Sequence, residues 1–185
     1  MAERVCPVWI GYLLASPIRK LIQNPYFILD GYVKSGMKIM DIGSAMGYFS
    51  LPMANLTGTG GKELCIDMQE KMLDVLLKRA KKAKLEDRIE PRICNQNSLM
   101  IDDVKGQIDF ALAFAMVHEV PEPSRLFSEI FNALKIGGKL LVAEPTGHVN
   151  QEAFEGTLSI AKSKGFVLIE RPNINRSLSA LLQKK

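Results

Sequence analysis

From Met37 onward, short β-branched or apolar runs alternate with longer amphipathic stretches, the rhythm of βαβ units built around a parallel sheet. The apolar runs predict strands over Lys38 to Ile42, Lys62 to Ile66, Ile89 to Cys94, Ile108 to Phe114, Lys139 to Ala143 and Val167 to Glu170, with Ser177 to Leu182 returning as an antiparallel edge strand. The amphipathic stretches predict helices over Gly47 to Asn55, Gln69 to Ala83, Glu122 to Leu134 and Gln151 to Lys164. Gly137 and Gly138 punctuate the end of the third helix, Gly165 that of the fourth, and Asn150 is placed to cap the fourth. Right-handed crossovers would stack these helices on both faces of the sheet. Ahead of the first strand, residues 1–36 read as one or two helices, Ser16 capping one near Pro17 and Asn24 with Pro25 opening another.

Length turns this pattern into a single unit. At 185 residues and 47% hydrophobic, the chain suits one well-buried core, so residues 1–36 are expected as a lid or flank on a core of residues 37–185. The net charge of +4 owes much to Lys78, Arg79, Lys81, Lys82 and Lys84 on one predicted helix, which reads as a solvated face rather than a nucleic-acid or anionic-lipid patch. Cys6, Cys65 and Cys94 are too few and scattered for a disulfide framework or a metal site. A cytoplasmic location fits that usage, with Cys65 and Cys94 serving as small hydrophobes in strands. Val8 to Ala15 is an apolar run resembling a short signal peptide, but Glu3, Pro7 and the lone early Arg4 argue for its retention. No run approaches the ~20 apolar residues of a bilayer span.

Candidate chemistry gathers where the first strand meets the next helix, in Asp41-Ile42-Gly43-Ser44-Ala45-Met46-Gly47. A turn of small residues there lets a ligand approach backbone N–H groups, as pyrophosphate dinucleotides and S-adenosylmethionine both do. The dinucleotide pattern GxGxxG would require glycine at Ala45 and Tyr48. Asp41 at the strand tip would also repel phosphates, whereas a phosphate-free ligand with an ammonium and a sulfonium suits it. Asp67, ending the second strand, can accept from both ribose hydroxyls. The alternative is that Asp41 and Asp67 merely cap helices.

The segments DIGSAMGYFSLPMA, CIDMQEKML, FALAFAMVHEVPEP and LKIGGKLLVAEP resemble the class I S-adenosylmethionine-dependent methyltransferase family, on its type-11 and ubiquinone/menaquinone-biosynthesis-like small-molecule branch. The resemblance covers roughly Leu29 to Phe166. It implies an α/β Rossmann-like three-layer sandwich with a seven-stranded, mostly parallel sheet whose last strand is antiparallel. It also implies S-adenosylmethionine as cofactor, bound by Asp41, Gly43, Ser44, Ala45 and Gly47 of the first motif and by Asp67 and Met68 at the ribose. Asn97, followed by Ser98, stands where the family usually has an acid for the adenine amine; an amide oxygen can accept the same bond. Ala45 replaces the middle glycine of the family's loop.

Ala115, Met116, Val117, His118 and Glu119 at the tip of the fourth strand would lie beside the methyl group. His118 and Glu119 are the catalytic candidates, His118 as a base for a phenol, hydroxyl or thiol, or else as a packing residue. Glu144 and His148 close by would make a two-histidine, two-carboxylate edge, although their spacing follows no metal motif and no metal is expected. Cys6, Trp9 and Tyr12 could form a wall for a flat or apolar substrate. No Asn/Asp-Pro-Pro-aromatic tetrad or Pro-Cys nucleophile follows the fourth strand, which argues against amino-group methylation of adenine or glutamine and against cytosine ring methylation. Only Cys6 is placed as an exposed thiol, too few for arsenite. The expected partner is therefore a small-molecule substrate, with no membrane span, a homo-oligomer left open, and nucleic acid disfavoured. RNA or protein methylation, a non-catalytic binder of the cofactor or its product, and lastly nicotinamide chemistry are the competing readings.

Overall fold

The alternating pattern produces seven strands in one sheet, seen in a computed structural model that describes Arg19 and residues 21–185. In chain order the elements are helix α1 (Pro25–Leu29), β1 (Lys38–Ile42), α2 (Ser50–Thr57), β2 (Lys62–Asp67), α3 (Glu70–Ala83), β3 (Ile89–Ile93), β4 (Ile108–Phe114), α4 (Pro123–Ala133), β5 (Leu134–Pro145), α5 (Gln151–Ser163), β6 (Phe166–Glu170) and β7 (Ser177–Lys184). The sheet order is β3-β2-β1-β4-β5-β7-β6, with β7 antiparallel to both its neighbours and the other pairings parallel. The chain order reverses between β1 and β4. At such a switch point a crevice opens beyond the carboxyl ends of the strands.

The last strand corrects one expectation. β7 is an inner strand, wedged between β5 and β6, and β6 is the edge. Its residues Ser179 to Leu182 are buried as an unbroken run, the mark of a strand covered on both faces, while β6 leaves Ile169 and Glu170 exposed. At the opposite edge, β3 tolerates Pro91 because a strand there need not donate on both sides.

Two layers of side chains hold the helices to the sheet. One is built on Phe127, Ile130, Phe154 and Leu158 of α4 and α5 against Ala111, Ala113, Leu140 and Val142. The opposite layer sets Leu29, Tyr48, Phe49 and Met53 against Ile39, Phe110, Leu112 and Leu141. Phe127 and Phe154 are fully buried, each contributing about 2–3 kcal/mol of transfer free energy.

Two helix boundaries differ from the sequence reading, each for a backbone reason. Gly43, Ala45 and Gly47 have φ of 73°, 46° and 79°, so no helix can run through them and α2 starts at Ser50. After α4 the chain passes straight into β5 at Leu134, where pairing with Ile108 captures it before any glycine cap forms. Gly137 and Gly138 therefore lie inside β5, where the register with β4 slips between Ile108 and Phe110. A Cβ on Gly138 would sit 3.0 Å from the Ile108 carbonyl oxygen.

Asn24 and Asn150 do cap their helices, accepting from the Tyr26 and Ala153 N–H groups. Asn150→Ala should cost about 1 kcal/mol, read as a melting-temperature drop of roughly 2–4 °C. Ser16, the first predicted helix and the apolar run from Val8 lie outside the described residues, as do Cys6, Trp9 and Tyr12. Among the described residues, no helix is long and apolar enough to cross a membrane.

Candidate active site at the carboxyl ends of the strands

The β1 loop is fastened to β2 by its own backbone. Gly43 and Ser44 N–H groups donate to the Ile66 carbonyl at 2.9 and 3.0 Å. Asp67 then bridges two loops: Oδ2 accepts from Ala45 N–H at 2.9 Å and Oδ1 from Gln69 N–H at 2.8 Å, which caps α3 in place of Gln69. Burial pushes the Asp67 carboxyl up, and those backbone donors pull it back. Arg79, half-buried on α3, donates to the Met46 carbonyl oxygen. It thus leaves the solvated basic face, whose lysines 78, 81, 82 and 84 are exposed, to brace the loop.

Asp41 stands in a different place from the one its sequence position suggests. It lies beneath the loop with 3% of its surface exposed, and Ser50 Oγ donates to its Oδ2 at 2.6 Å. Burial raises its pKa to about 7, with the Ser50 bond opposing and the Asp67 charge adding. A carboxylate presented to an incoming cation is therefore not what β1 offers; Asp41 anchors α2 to the strand. The Ser44 hydroxyl is buried as well and has no hydrogen-bond partner, the one loop group that calls for a ligand atom.

Gly43 fits closely against the loop after β4, for a Cβ there would lie 3.1 Å from Met116 Cβ. That contact joins the two strand ends. Ala115 turns the chain at φ 58° and donates to the Ala143 carbonyl at 2.7 Å. Beyond it, the Met116 and Val117 N–H groups donate to Glu144 Oε1 at 3.2 and 2.8 Å, while His118 Nδ1 bonds Glu144 Oε2. A carboxylate only accepts, so in the neutral imidazole this pairing places the proton on Nδ1 and leaves Nε2 with a lone pair. His148 Nδ1 lies 3.5 Å from that Nε2, the rings edge to face at 86°.

Of the two predicted acids, Glu144 and not Glu119 bonds the imidazole; Glu119 Oε1 lies 4.0 Å from Nε2. Burial raises the Glu119 pKa, and among the charges felt there are His118, Glu144, His148 and Asp67, which puts the β2 and β4 ends in one electrostatic neighbourhood. The described residues contain no group of three or more histidine, cysteine or acidic side chains arranged to hold a metal ion.

The β3 end is more open. Asn95 organises a tight turn, accepting from Asn97 N–H at 2.9 Å through Oδ1, and Asn97 itself is exposed. Ser98 Oγ accepts from Met100 N–H. Met68 and Ile93, beside Asp67, and Met100, in the turn after β3, expose 40%, 47% and 54% of their surfaces; of these the sequence reading named only Met68. Ile93 pairs directly with Asp67 across the β2–β3 ladder. The expected convergence of His118, Glu119, Glu144 and His148 on one edge is what the structure shows, but the Glu144–His118 bond and the role of Ser50 escaped the sequence, because a side chain's partner across strands depends on register. Nothing local signals it.

A methyltransferase-domain family model matches residues 33–165. The chain is 27% identical over 126 residues to the demethylmenaquinone methyltransferase of Lactococcus lactis, covering 65% of this chain and 48% of that protein. It is 25% identical over 168 residues to phosphoethanolamine N-methyltransferase 2 of Caenorhabditis elegans, covering 82% of this chain and 37% of that one. The chain thus spans less than half the length of these curated relatives. The crystal structure of an S-adenosylmethionine-dependent methyltransferase from Aquifex aeolicus superposes with a TM-score of 0.85 at 20% identity, covering 97% of this chain and 98% of that one, which shows the shared fold. With the family model spanning β1 to the end of α5 and the fold matching throughout, the chain belongs to the methyltransferase-domain family.

Proposed function

We propose that the protein is an S-adenosylmethionine-dependent methyltransferase acting on a small molecule. The observation that carries this is the contact of Gly43 in the β1 loop with Met116 after β4, which joins the loop holding a buried, unpartnered Ser44 hydroxyl to the loop that carries the Glu144–His118 pair. When bound, the cofactor supplies a methyl group activated on a sulfonium. The residues present fit it: Gly43, Ser44, Ala45 and Gly47 shape the loop, and Ser44 Oγ has hydrogen-bonding capacity to give. Asp67 has lone pairs left for ribose hydroxyls, and Met68 offers an apolar face to the adenine. Asn97 and Ser98 would meet the adenine edge and Ala115 the reacting centre, while Asp41 supports the loop from below. His118 faces the acceptor, with Glu119 beside it.

A direct displacement at carbon asks the protein mainly to align the acceptor and exclude water. The segment before β1 supports a covering role. Arg19 lies over Tyr48 at 4.5 Å and Phe114 at 5.5 Å, Tyr48 Oη donates to the Gln23 carbonyl, and Gln23 Nε2 donates to the Asn175 carbonyl at 2.8 Å. Arg19 and residues 21–36 are accordingly read as part of a lid or flank on a single domain, and the free Cys65 and Cys94 suit a cytoplasmic setting. A small-molecule acceptor agrees with the substrates named in the two curated relatives.

Calorimetric titration tests the cofactor. Heat is expected with S-adenosylmethionine and S-adenosylhomocysteine and none with NADH; folded protein giving no heat with either adenosyl ligand would sink the proposal. Asp67→Ala should weaken S-adenosylhomocysteine binding by about 1.5–3 kcal/mol, the worth of a hydrogen bond or two to a charged group.

A further inference from the structure

Resting on that reading of the cofactor site, we infer that Glu144, His118 and His148 form an oxygen clamp, and that the methyl acceptor is a phenolic or enolic hydroxyl. The geometry is specific to one atom. His118 Nε2 and His148 Nδ1 are 3.5 Å apart, the outer limit of a hydrogen bond, so neither satisfies the other well. A single oxygen about 2.8 Å from each completes a triangle with them. Through it, Nε2 takes the hydroxyl proton and a proton on His148 Nδ1 donates to the same oxygen.

Glu144 sets this up without touching substrate. Its side chain is 1% exposed and tied by Oε1 to two backbone N–H groups, so Oε2 is fixed where it orients the His118 ring and specifies its tautomer. It is a positioning residue. His118 keeps 22% of its side-chain surface exposed and His148 is exposed, so the clamp is reachable from solvent and a captured proton can leave to water.

Such a device discriminates between acceptors. An aryl amine, uncharged near neutral pH, attacks through its own lone pair and sheds its proton afterwards, and a thiol already holds a few per cent of thiolate. A phenol, with an ordinary pKa near ~10, is the acceptor that needs its proton removed as it reacts. The step balances: the oxygen–carbon bond forms as the carbon–sulfur bond breaks, the bonding pair returns to sulfur, and the hydroxyl proton goes to His118 Nε2.

The test uses the full chain and two probes, para-cresol, un-ionised at neutral pH, and para-nitrophenol, which is readily ionised. Titrated into the protein with S-adenosylhomocysteine bound, para-nitrophenol should show the phenolate absorbance band at a pH where the free probe is mainly protonated. His118→Ala and His148→Ala should each lose that band. With S-adenosylmethionine, Glu144→Gln reverses the bond to Nδ1 and should lower kcat for para-cresol ~100-fold while changing its KM little, and should spare para-nitrophenol. Equal losses for both acceptors would make Glu144 merely structural and overturn the inference. So would methylation only of amines or thiols in a matched panel, or failure to bind either phenol. If S-adenosylhomocysteine itself does not bind, the cofactor reading falls and this chemistry with it; if it binds and phenols do not, only the clamp falls.

Discussion

Replacing His118 with alanine is expected to lower turnover of a hydroxyl acceptor by ~100-fold or more, the range general bases supply, while leaving S-adenosylhomocysteine affinity nearly intact. The separation follows from placement. His118 sits after β4 on the 3-10 turn Val117–Glu119, and it meets Glu144, Glu119 and His148 rather than a group of the β1 loop. Removing the ring leaves Glu144 bonded by two backbone N–H groups, so the buried carboxylate keeps partners and the fold should hold. His118→Gln is the sharper variant, restoring polarity without a base. Turnover by either variant at the wild-type rate, with folding and cofactor binding intact, would reduce His118 to packing.

How far the sequence discloses this site depends on whether a feature is local. Strand positions follow from period and composition, and β1 and β4 match their predicted limits, each ending where the next residue, Gly43 or Ala115, turns to positive φ. The start of α2 differs because Gly43, Ala45 and Gly47, at alternate positions, adopt positive φ, a backbone choice that composition permits without announcing. The place of β7 inside the sheet was likewise hidden, because the order of strands is a long-range property.

The same division runs through the site. Asp67 and His118 stand at strand ends, where position alone makes them candidates. Glu144 acquires its role only when β5 pairs with β4 in the register Phe114↔Ala143, bringing its carboxylate under the Met116 and Val117 N–H groups. Asp41 shows the converse error. A carboxylate at a strand tip reads as ligand-facing, but its side chain points to the layer beneath α2, where Ser50 meets it. Sequence gives the position and the pleat decides the face.

That buried acid carries the second large prediction, a loss of stability as pH rises through the weakly acidic range. Asp41 has its pKa raised from 3.8 to about 7 by burial, so between those values the folded state holds a proton that the unfolded state has released. Stability then falls with rising pH, by about 4 kcal/mol from Asp41 alone across that window, and levels off above it. Glu63 acts in the same direction. It is fully buried on β2 with Oε2 unpartnered, and burial with the neighbouring Asp41 charge pushes its carboxyl well up. Opposing these, Arg92 and Arg171 hold the exposed Asp103 and Glu155 carboxyls low, and that help disappears only as pH falls below the ordinary carboxylate range. Stability should therefore peak near pH ~4–5 and decline toward neutrality. Asp41→Asn keeps an oxygen to accept from Ser50 and removes the titration, so denaturant unfolding of the ligand-free variant should show a flatter pH profile and higher stability than wild type at neutral pH. Parallel profiles for the two proteins from pH 4 to 8 would mean that Asp41 ionises freely in the fold and that the polar layer beneath α2 is wetter than its geometry indicates.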